Sequence, residues 1–278
     1  MAKEVVVLVG AGSIGQAIAR RVGSGKHIVL ADINEKNALI ASDILEHAGF
    51  ETSVITVDIS SRKSILNLIE HAQEFGPIKN LINAAGLSPS QAPIEAILKV
   101  DLYGTAVLLE EFGKVICENG SGIVISSQSG HRLGNISIEE SNQLALTPFE
   151  ELLNLAFLKT IPNTLKAYQY SKRCNVLRVM SESIKWGKKG ATLNSISPGI
   201  IITPLAKDEL DGPRGAGYRK MLNLCPAKRA GTPDEVGALS EFLMSNKGKF
   251  ITGSDMLIDG GTTASYWYGD LQYLQESH

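Results

Sequence analysis

The sequence lacks the features that mark secreted, membrane-spanning and nucleic-acid-binding proteins. Its 278 residues include only three cysteines, Cys117, Cys174 and Cys225, which are far apart, form no C-x-x-C pair and indicate packing residues in a reducing compartment. No apolar run approaches the roughly 18 residues of a membrane-spanning helix. The formal net charge is only −2, so no basic field favours nucleic acid or an acidic membrane. We therefore expect a cytoplasmic protein that binds neither nucleic acid nor membrane.

The sequence instead contains a regular alternation of strand and helix patterns. Hydrophobic residues make up 44% of the chain, which is enough for a substantial core. Short apolar and β-branched runs predict strands at 4–9, 27–31, 51–57, 79–82, 122–127, 191–196 and 254–258. Strands and helices that alternate at this spacing imply right-handed βαβ crossovers. We predict an α/β fold, a doubly wound parallel sheet with helices on both faces, in a single domain over residues 1–278.

A glycine-rich loop, Gly10 to Gly15, follows the first predicted strand and precedes a helical pattern. In this context G-x-G-x-x-G lets backbone N–H groups at a helix N-terminus approach a pyrophosphate. Asp32 ends the second predicted strand, where a carboxylate can accept hydrogen bonds from an adenosine ribose and would repel a 2′-phosphate. The loop predicts a Rossmann-like dinucleotide site that takes NAD, with NADP less favoured. Alternatively, Asp32 only caps the helix that begins near Asn34.

Tyr168 and Lys172 are four residues apart in a segment of helical pattern, so both side chains lie on one helix face. A cation beside a phenol favours the phenolate and lowers a pKa that is ordinarily about 10. Such a pair occurs by chance on many helices. It gains weight from Ser126 and Ser127, which end a predicted strand at the sheet edge where open α/β sheets bind ligands.

With these motifs in this order, the chain resembles the short-chain dehydrogenase/reductase family. The resemblance further includes Asp58, Asn83-Ala84-Ala85-Gly86, Ser197-Pro198-Gly199 with Thr203, and Ile258-Asp259-Gly260-Gly261. It implies that Tyr168 is the general acid/base, that Lys172 lowers its pKa and binds the nicotinamide ribose, and that Ser127 hydrogen-bonds the substrate oxygen. It also implies a homodimer or homotetramer that acts on a small molecule.

The resemblance implies a cofactor site as well, in which Thr203 anchors the carboxamide or pyrophosphate and backbone groups near Ile201 fix the nicotinamide face. The residues expected in it are Gly10, Gly12, Ser13, Ile14, Gly15, Asp32, Asp58, Ile59, Asn83, Ala84, Gly86, Tyr168, Lys172, Pro198, Gly199, Ile201 and Thr203. No metal site is expected.

The chain departs from the family pattern in four places. Its glycine loop is one residue shorter than usual, with Val9 where threonine is common, and Ala84 replaces an asparagine. Asp101 stands where the family often has an active-site asparagine that helps hold a water-linked proton path. Asp101 is therefore a catalytic candidate if the backbone carbonyl does that work. If the amide is needed, activity should suffer, and a purely structural role for Asp101 stays open.

The largest departure is an insertion, residues 131–167, since Ser127 and Tyr168 are 41 positions apart. Within it, Thr147-Pro148-Phe149-Glu150 predicts a capped helix that runs to about Lys159. We expect a helical lid or a subunit contact beside the substrate pocket; the alternative is a helix packed only on its own domain. The chain resembles the subgroup that contains bacterial 3α-hydroxysteroid dehydrogenase/carbonyl reductase, through this insertion together with Gly86-Leu87-Ser88-Pro89, Lys185-Trp186-Gly187, Thr203-Pro204-Leu205 and Asp211-Gly212-Pro213-Arg214.

The function expected is an NAD-dependent oxidoreductase that interconverts a secondary alcohol and a ketone. One alternative is a reductase of carrier-bound 3-oxoacyl groups, for which Lys207, Arg214, Arg219 and Lys220 could form a basic docking patch. They lie in residues 205–224, which we expect to be a mobile substrate loop. Another alternative is a dinucleotide-sensing binding protein that has lost catalysis.

Overall fold

The computed structural model describes residues 3–212 and 215–275. Its strands are β1 (Val5–Val9), β2 (His27–Asp32), β3 (Glu51–Thr56), β4 (Ile78–Asn83), β5 (Ser121–Ile125), β6 (Thr192–Pro198) and β7 (Asp255–Ile258). All pair in parallel in one seven-stranded sheet of order β3-β2-β1-β4-β5-β6-β7. The strand order reverses between β1 and β4, which opens a crevice at the carboxyl ends of the strands. The predicted doubly wound parallel sheet is confirmed.

Helices cover both faces of this sheet. They are α1 (Ser13–Val22), α2 (Glu35–His47), α3 (Arg62–Phe75), α4 (Ile94–Ile97), α5 (Thr105–Val115), α6 (Gln128–His131), α7 (Ile138–Leu146), α8 (Phe149–Leu152), α9 (Thr164–Gly187), α10 (Pro204–Asp211), α11 (Gly215–Leu224), α12 (Pro233–Met244) and α13 (Thr262–Tyr268). Short 3₁₀ turns lie at Ala156–Thr160, Asn246–Gly248 and Gln272–Leu274. No helix in the described part of the chain is long and apolar enough to cross a membrane.

The two faces of the sheet bury separate apolar clusters. In β1, Val5, Val7 and Val9 belong to one cluster, and Val6 and Leu8 belong to the other. All five side chains are fully buried because successive residues of a strand point to opposite faces and helices cover each face. This double burial is the physical reason for the continuous apolar run in the sequence.

A π-helical turn, Leu98–Gly104, joins α4 to α5 within one continuous helix. Such turns insert an extra residue into an α-helix and occur often at functional sites. Asp101 lies in this turn and is fully buried. The turn therefore directs a carboxyl group into the protein interior beside α9.

The single helix predicted for residues 147–159 is wrong. Helix α8 spans only Phe149–Leu152, with no side-chain cap from Thr147, and the chain then turns into the 3₁₀ segment. The break allows Phe149, Leu152 and Leu158 to bury together in the main core. Burial of these side chains outweighs the local helical signal.

The capping box of the insertion lies instead at the start of α7, where Ser137 and Glu140 bond each other's backbone N–H groups. The end of α7 is attached to α9, because Arg178 donates from Nε to the Leu144 carbonyl at 2.7 Å and from Nη2 to the Thr147 carbonyl. The middle of the insertion thus packs on its own domain.

The described part of residues 205–224 is helical and not the loop that the sequence predicts, and Pro213 and Arg214 lie outside the described residues. The described part folds into most of α10 and all of α11, and Thr203 caps α10 by accepting the N–H of Ala206 at 3.1 Å. Met221 of α11 packs with Tyr266 and Leu271 in a small separate cluster. Helix α11 thus packs its apolar face on the C-terminal segment.

Candidate active site

A cleft of about 730 Å³ opens at the carboxyl ends of the central strands. Ten of the residues predicted from the sequence line it: Ile14, Ala84, Gly86, Ser127, Tyr168, Lys172, Pro198, Gly199, Ile201 and Thr203. These residues come from segments far apart in the chain, and they meet because parallel strands deliver their following loops to one edge of the sheet.

The three glycines of the glycine loop have two different roles. Gly10 has φ +89°, and a Cβ there would lie 2.5 Å from the backbone N of Ala85. A Cβ on Gly15 would lie 2.5 Å from the Gly10 carbonyl. Gly12, the N-cap of α1, has φ −74°, and a Cβ there would meet nothing within 4 Å. The first two glycines serve internal packing, whereas Gly12 and the adjoining Ser13 leave open space at a helix N-terminus, where a pyrophosphate fits.

Asp32 lies beside this loop at the end of β2. Its Oδ2 accepts the N–H of Ala11 at 2.9 Å, and its Oδ1 accepts the N–H of Asn34 at 2.9 Å. Asn34 itself caps α2 by accepting the N–H of Lys36. The alternative in which Asp32 merely caps this helix is therefore wrong, and its carboxylate stands next to the space that Gly12 leaves open.

Three other predicted cofactor residues are engaged in local structure. Asp58 accepts the N–H of Ser60 at 2.9 Å in the turn before α3. The next residue, Ile59, is buried. Its backbone lies close to the π-helical turn, because a Cβ added to Gly104 would lie 2.7 Å from the Ile59 carbonyl oxygen. Asn83 is buried and donates to Thr105 Oγ1 at 3.2 Å. None of these three residues is among those that line the cleft.

Tyr168 and Lys172 lie in the first turns of α9, with Lys172 Nζ 5.4 Å from the centre of the Tyr168 ring. Ser127 caps α6 and accepts the N–H of Ser129 at 3.1 Å. Ser126 donates its hydroxyl to the Lys172 carbonyl at 2.8 Å, which joins the end of β5 to α9. The structure thus brings Ser127, Tyr168 and Lys172 to one wall of the cleft.

Asp101 and Lys172 form a buried ion pair, with 3.7 Å between Asp101 Oδ2 and Lys172 Nζ. Asp101 Oδ1 also accepts the N–H of Leu87 at 2.8 Å, and Lys172 Nζ donates to the Ile125 carbonyl at 3.4 Å. Burial raises the pKa of Asp101, against the effect of the lysine charge. Burial acts to lower the pKa of Lys172, but the charges of Asp101 and Tyr168 outweigh it and raise that pKa. The ion pair therefore favours the charged form of Lys172.

Gly86 gives this ion pair its space. A Cβ at Gly86 would lie 3.1 Å from Lys172 Nζ and 3.2 Å from Asp101 Oδ1. On the other side, Asn175 lies 2.8 Å from the backbone carbonyl of Asp101 when its amide is oriented to donate. Both the side chain and the carbonyl of Asp101 are thus held by protein groups.

Sequence reasoning missed Arg132, which also lines the cleft. Its only signal was its place five residues after Ser127, at the start of the insertion, and nothing in the local sequence shows that its side chain turns toward the pocket. Among the described residues, no three His, Cys, Asp or Glu side chains are grouped so that they could hold a metal ion.

Comparison with known proteins agrees with this architecture. Residues 3–137 match the family model described as short chain dehydrogenase, and residues 146–263 match the one described as Enoyl-(Acyl carrier protein) reductase. A short-chain dehydrogenase/reductase of Alternaria brassicicola, bsc3, is 38% identical over 268 residues, which cover 95% of this chain and 97% of that protein.

More distant relatives extend the comparison. D-threitol dehydrogenase of Mycolicibacterium smegmatis is 28% identical over 275 residues, covering 94% of this chain and 93% of that protein. The crystal structure of levodione reductase superimposes with a TM-score of 0.76 at 22% identity, over 95% of this chain and 98% of that one, which supports the fold. The family's enzymes use a nicotinamide dinucleotide and act on CH–OH groups. This oxidoreductase belongs to the short-chain dehydrogenase/reductase family.

Proposed function

We propose that the enzyme interconverts a secondary alcohol and a ketone with NAD, and that Ser127, Tyr168 and Lys172 handle the proton. The observation that carries this proposal is the position of all three side chains on one wall of the cleft, with Lys172 Nζ 5.4 Å from the Tyr168 ring. A bound nicotinamide supplies the hydride acceptor or donor, so the protein needs only to orient the substrate and move one proton.

In the direction of oxidation, Tyr168 takes the proton of the substrate hydroxyl. Ser127 donates a hydrogen bond to the same oxygen, which holds the reacting carbon in place. The charge of Lys172 favours the phenolate form of Tyr168, and Asp101 keeps Lys172 protonated. In reduction the same groups act in reverse, with Tyr168 as the proton donor.

The decisive experiment replaces Tyr168 by phenylalanine. Loss of a positioned general acid/base should lower turnover by about 10²- to 10⁴-fold and leave NAD binding unchanged. Tyr170→Phe is the matched control, because Tyr170 lies on the same helix and packs against Phe157 at a ring distance of 5.6 Å. Unchanged turnover by Tyr168→Phe, measured with steroids, polyols and small ketones, would contradict the proposal. A wild-type protein that binds NAD but turns over none of them would instead be a dinucleotide sensor.

The preference for NAD over NADP rests on Asp32. Its carboxylate lies beside the glycine loop, where a 2′-phosphate would meet a like charge. In Asp32→Ser, kcat/KM with NADP relative to NAD should rise by at least about tenfold, because this repulsion is removed. Equal rates with both cofactors in the parent would contradict the role of Asp32.

A reductase of carrier-bound 3-oxoacyl groups is the second candidate, because the family model that matches residues 146–263 is described by a carrier-bound substrate, although by an enoyl group. Lys207, Arg219 and Lys220 are exposed on α10 and α11, beside the cleft, whereas Arg214 lies outside the described residues. Lys207→Glu should then slow reduction of a carrier-bound substrate but not of the same acyl group on a small thiol. Equal effects on both would exclude this candidate.

We further propose that the enzyme is a homodimer or homotetramer that acts in the cytoplasm. Phe250 is fully exposed, and Phe242 and Leu257 are 44% and 42% exposed, which is a common property of subunit contacts. The proposal includes the insertion, residues 131–167, as a lid or a subunit contact beside the cleft. A monomer in size-exclusion chromatography with light scattering would contradict it.

A further inference from the structure

The wall of the cleft carries an arginine, Arg132, that the proton relay does not use. Its Nη2 donates to Ser129 Oγ at 3.2 Å, and its guanidinium carbon lies 5.5 Å from the centre of the Tyr266 ring. Its Nε is buried and donates to no group in residues 3–212 and 215–275. Arg132 thus lines the cleft while the hydrogen bond of its Nε is unmade among these residues.

Among the residues that the structure describes, no carboxylate forms an ion pair with Arg132. Among the described residues that line the cleft, only Arg132 and Lys172 carry a charge, and Lys172 is paired with Asp101. The carboxylate of Asp259 acts on Arg132 from a distance, but it accepts the N–H groups of Gly261 and Thr263 at 2.9 and 2.6 Å.

The backbone around Arg132 is held firmly. The preceding residue, His131, contacts Asp255 Oδ2 of β7 through Nε2 at 2.7 Å. The indole N–H of Trp267 donates to the His131 carbonyl at 3.2 Å, and Gln169 Nε2 lies 3.5 Å from the Arg132 carbonyl. These contacts tie the arginine to β7, α9 and α13, so its position is set by the fold rather than by solvent.

The surroundings of Arg132 make its charge costly. Burial lowers the pKa of Arg132, yet a guanidinium does not lose its proton in proteins. The same cleft is lined by apolar side chains, including Leu87, Leu165, Met221 and Leu274. A cation that is partly desolvated among apolar groups is stabilised most by an anion that arrives with the ligand.

We propose that Arg132 binds a carboxylate of the substrate, so that the enzyme acts on hydroxy or oxo carboxylic acids with an apolar carbon skeleton. A carboxylate can accept two N–H bonds from one guanidinium, which fixes both charge and orientation. The remaining apolar walls then hold the skeleton. This inference rests on the proposed function, which places the reacting carbon at Tyr168.

Turnover of matched substrates tests the proposal. Hydroxy acids are compared with their methyl esters on the same skeleton, with NAD as cofactor. The parent should favour the acid by about 10- to 100-fold in kcat/KM, since a charge-assisted pair replaces a neutral contact. Arg132→Met should abolish this preference, Arg132→Lys should keep part of it, and Arg20→Met, which removes an exposed charge on α1, should keep all of it. Equal use of acid and ester by the parent, or an unchanged preference in Arg132→Met, overturns the proposal.

Binding without turnover provides an independent test. Octanoate and 1-octanol are titrated by calorimetry into the NAD-loaded protein, whose NAD binding also reports that each variant is folded. Arg132→Met should lower the affinity for octanoate by at least about tenfold and leave the affinity for 1-octanol unchanged. Unchanged octanoate affinity overturns the carboxylate site even if no alcohol is oxidised. Failure of the proposed function has a different signature, namely retained turnover in Tyr168→Phe.

Discussion

Adding one methyl group at each of two glycines, Gly10 and Gly12, should separate a structural glycine from a cofactor glycine. At Gly10 the new Cβ would lie 2.5 Å from the Ala85 N, and the backbone has φ +89°. The left-handed conformation costs an L-residue about 1–2 kcal/mol, and overpacking against backbone adds about 1–3 kcal/mol. A loss of about 2–5 kcal/mol in the free energy of unfolding is therefore expected for Gly10→Ala.

This loss converts into a thermal shift. At about 2.1 cal/mol/K of unfolding entropy per residue, the 278 residues give about 0.6 kcal/mol/K, so the Tm of Gly10→Ala should fall by about 3–9 °C. In Gly12→Ala the backbone has φ −74° and the Cβ touches no protein atom, so the Tm should not fall. The methyl group instead occupies space for the pyrophosphate, and NAD affinity should drop by about tenfold.

Differential scanning calorimetry measures the Tm of both variants, and titration with NAD measures their affinity for the cofactor. Gly10→Ala is the test of packing and Gly12→Ala the test of the cofactor site, and each variant serves as the control for the other. A Gly12→Ala protein that binds NAD as tightly as the parent would refute the assignment of the loop to the pyrophosphate. An unchanged Tm in Gly10→Ala would refute the packing argument.

Three further outcomes are expected. In Asp101→Asn, Lys172 loses the charge that raises its pKa. A raised lysine pKa stabilises the folded protein below the usual pKa of 10.5, and this stability is lost as the pH rises through the pKa of the folded state. The alkaline limbs of the pH profiles of Tm and kcat/KM should therefore move to lower pH in this variant, and profiles that superimpose on those of the parent would count against the ion pair. Arg178→Met should lower the stability by about 3 kcal/mol and speed proteolysis within residues 138–160, since two carbonyls lose a charged donor; equal digestion rates would argue against this anchor. Burial raises the pKa of Cys174 to about 11, so at about pH 8 iodoacetamide should label Cys117 well before Cys174 in the folded protein, and the reverse order by mass spectrometry would contradict the burial.

The sheet could be predicted from the sequence because its signals are local and repeated. Each strand is a short apolar run buried on both faces, as β1 shows, and each run is followed by a turn or helix start. The glycine loop adds a second local signal, since its strand and helix neighbours are part of the motif. Such features need no knowledge of distant residues.

The insertion could not be predicted in the same way. The residues Thr147 to Glu150 satisfy every local rule for a helix start, yet the chain breaks so that Leu158 can join the core. The contacts of Arg178 with the end of α7 join residues more than 30 positions apart, and no local pattern encodes them. Tertiary contacts decide this segment.

The cleft shows the same division. Tyr168 and Lys172 are a motif within one helix, so their pairing could be read from spacing alone. The partnership of Lys172 with Asp101 depends on how α9 lies against the π turn, and the position of Arg132 depends on contacts that the preceding residue, His131, makes with β7 and α13. Side chains that meet only through the fold are those that sequence reasoning left uncertain or missed.

The π-helical turn has a consequence for how this enzyme can change over evolutionary time. The turn holds one residue more than an ordinary helical path would need, and each residue turns an α-helix by about 100°. Loss of a single codon between Leu98 and Gly104 could therefore leave a continuous helix with Asp101 swung away from Lys172. In this region a change in chain length, with no change of chemistry elsewhere, would act on the active site as a substitution does.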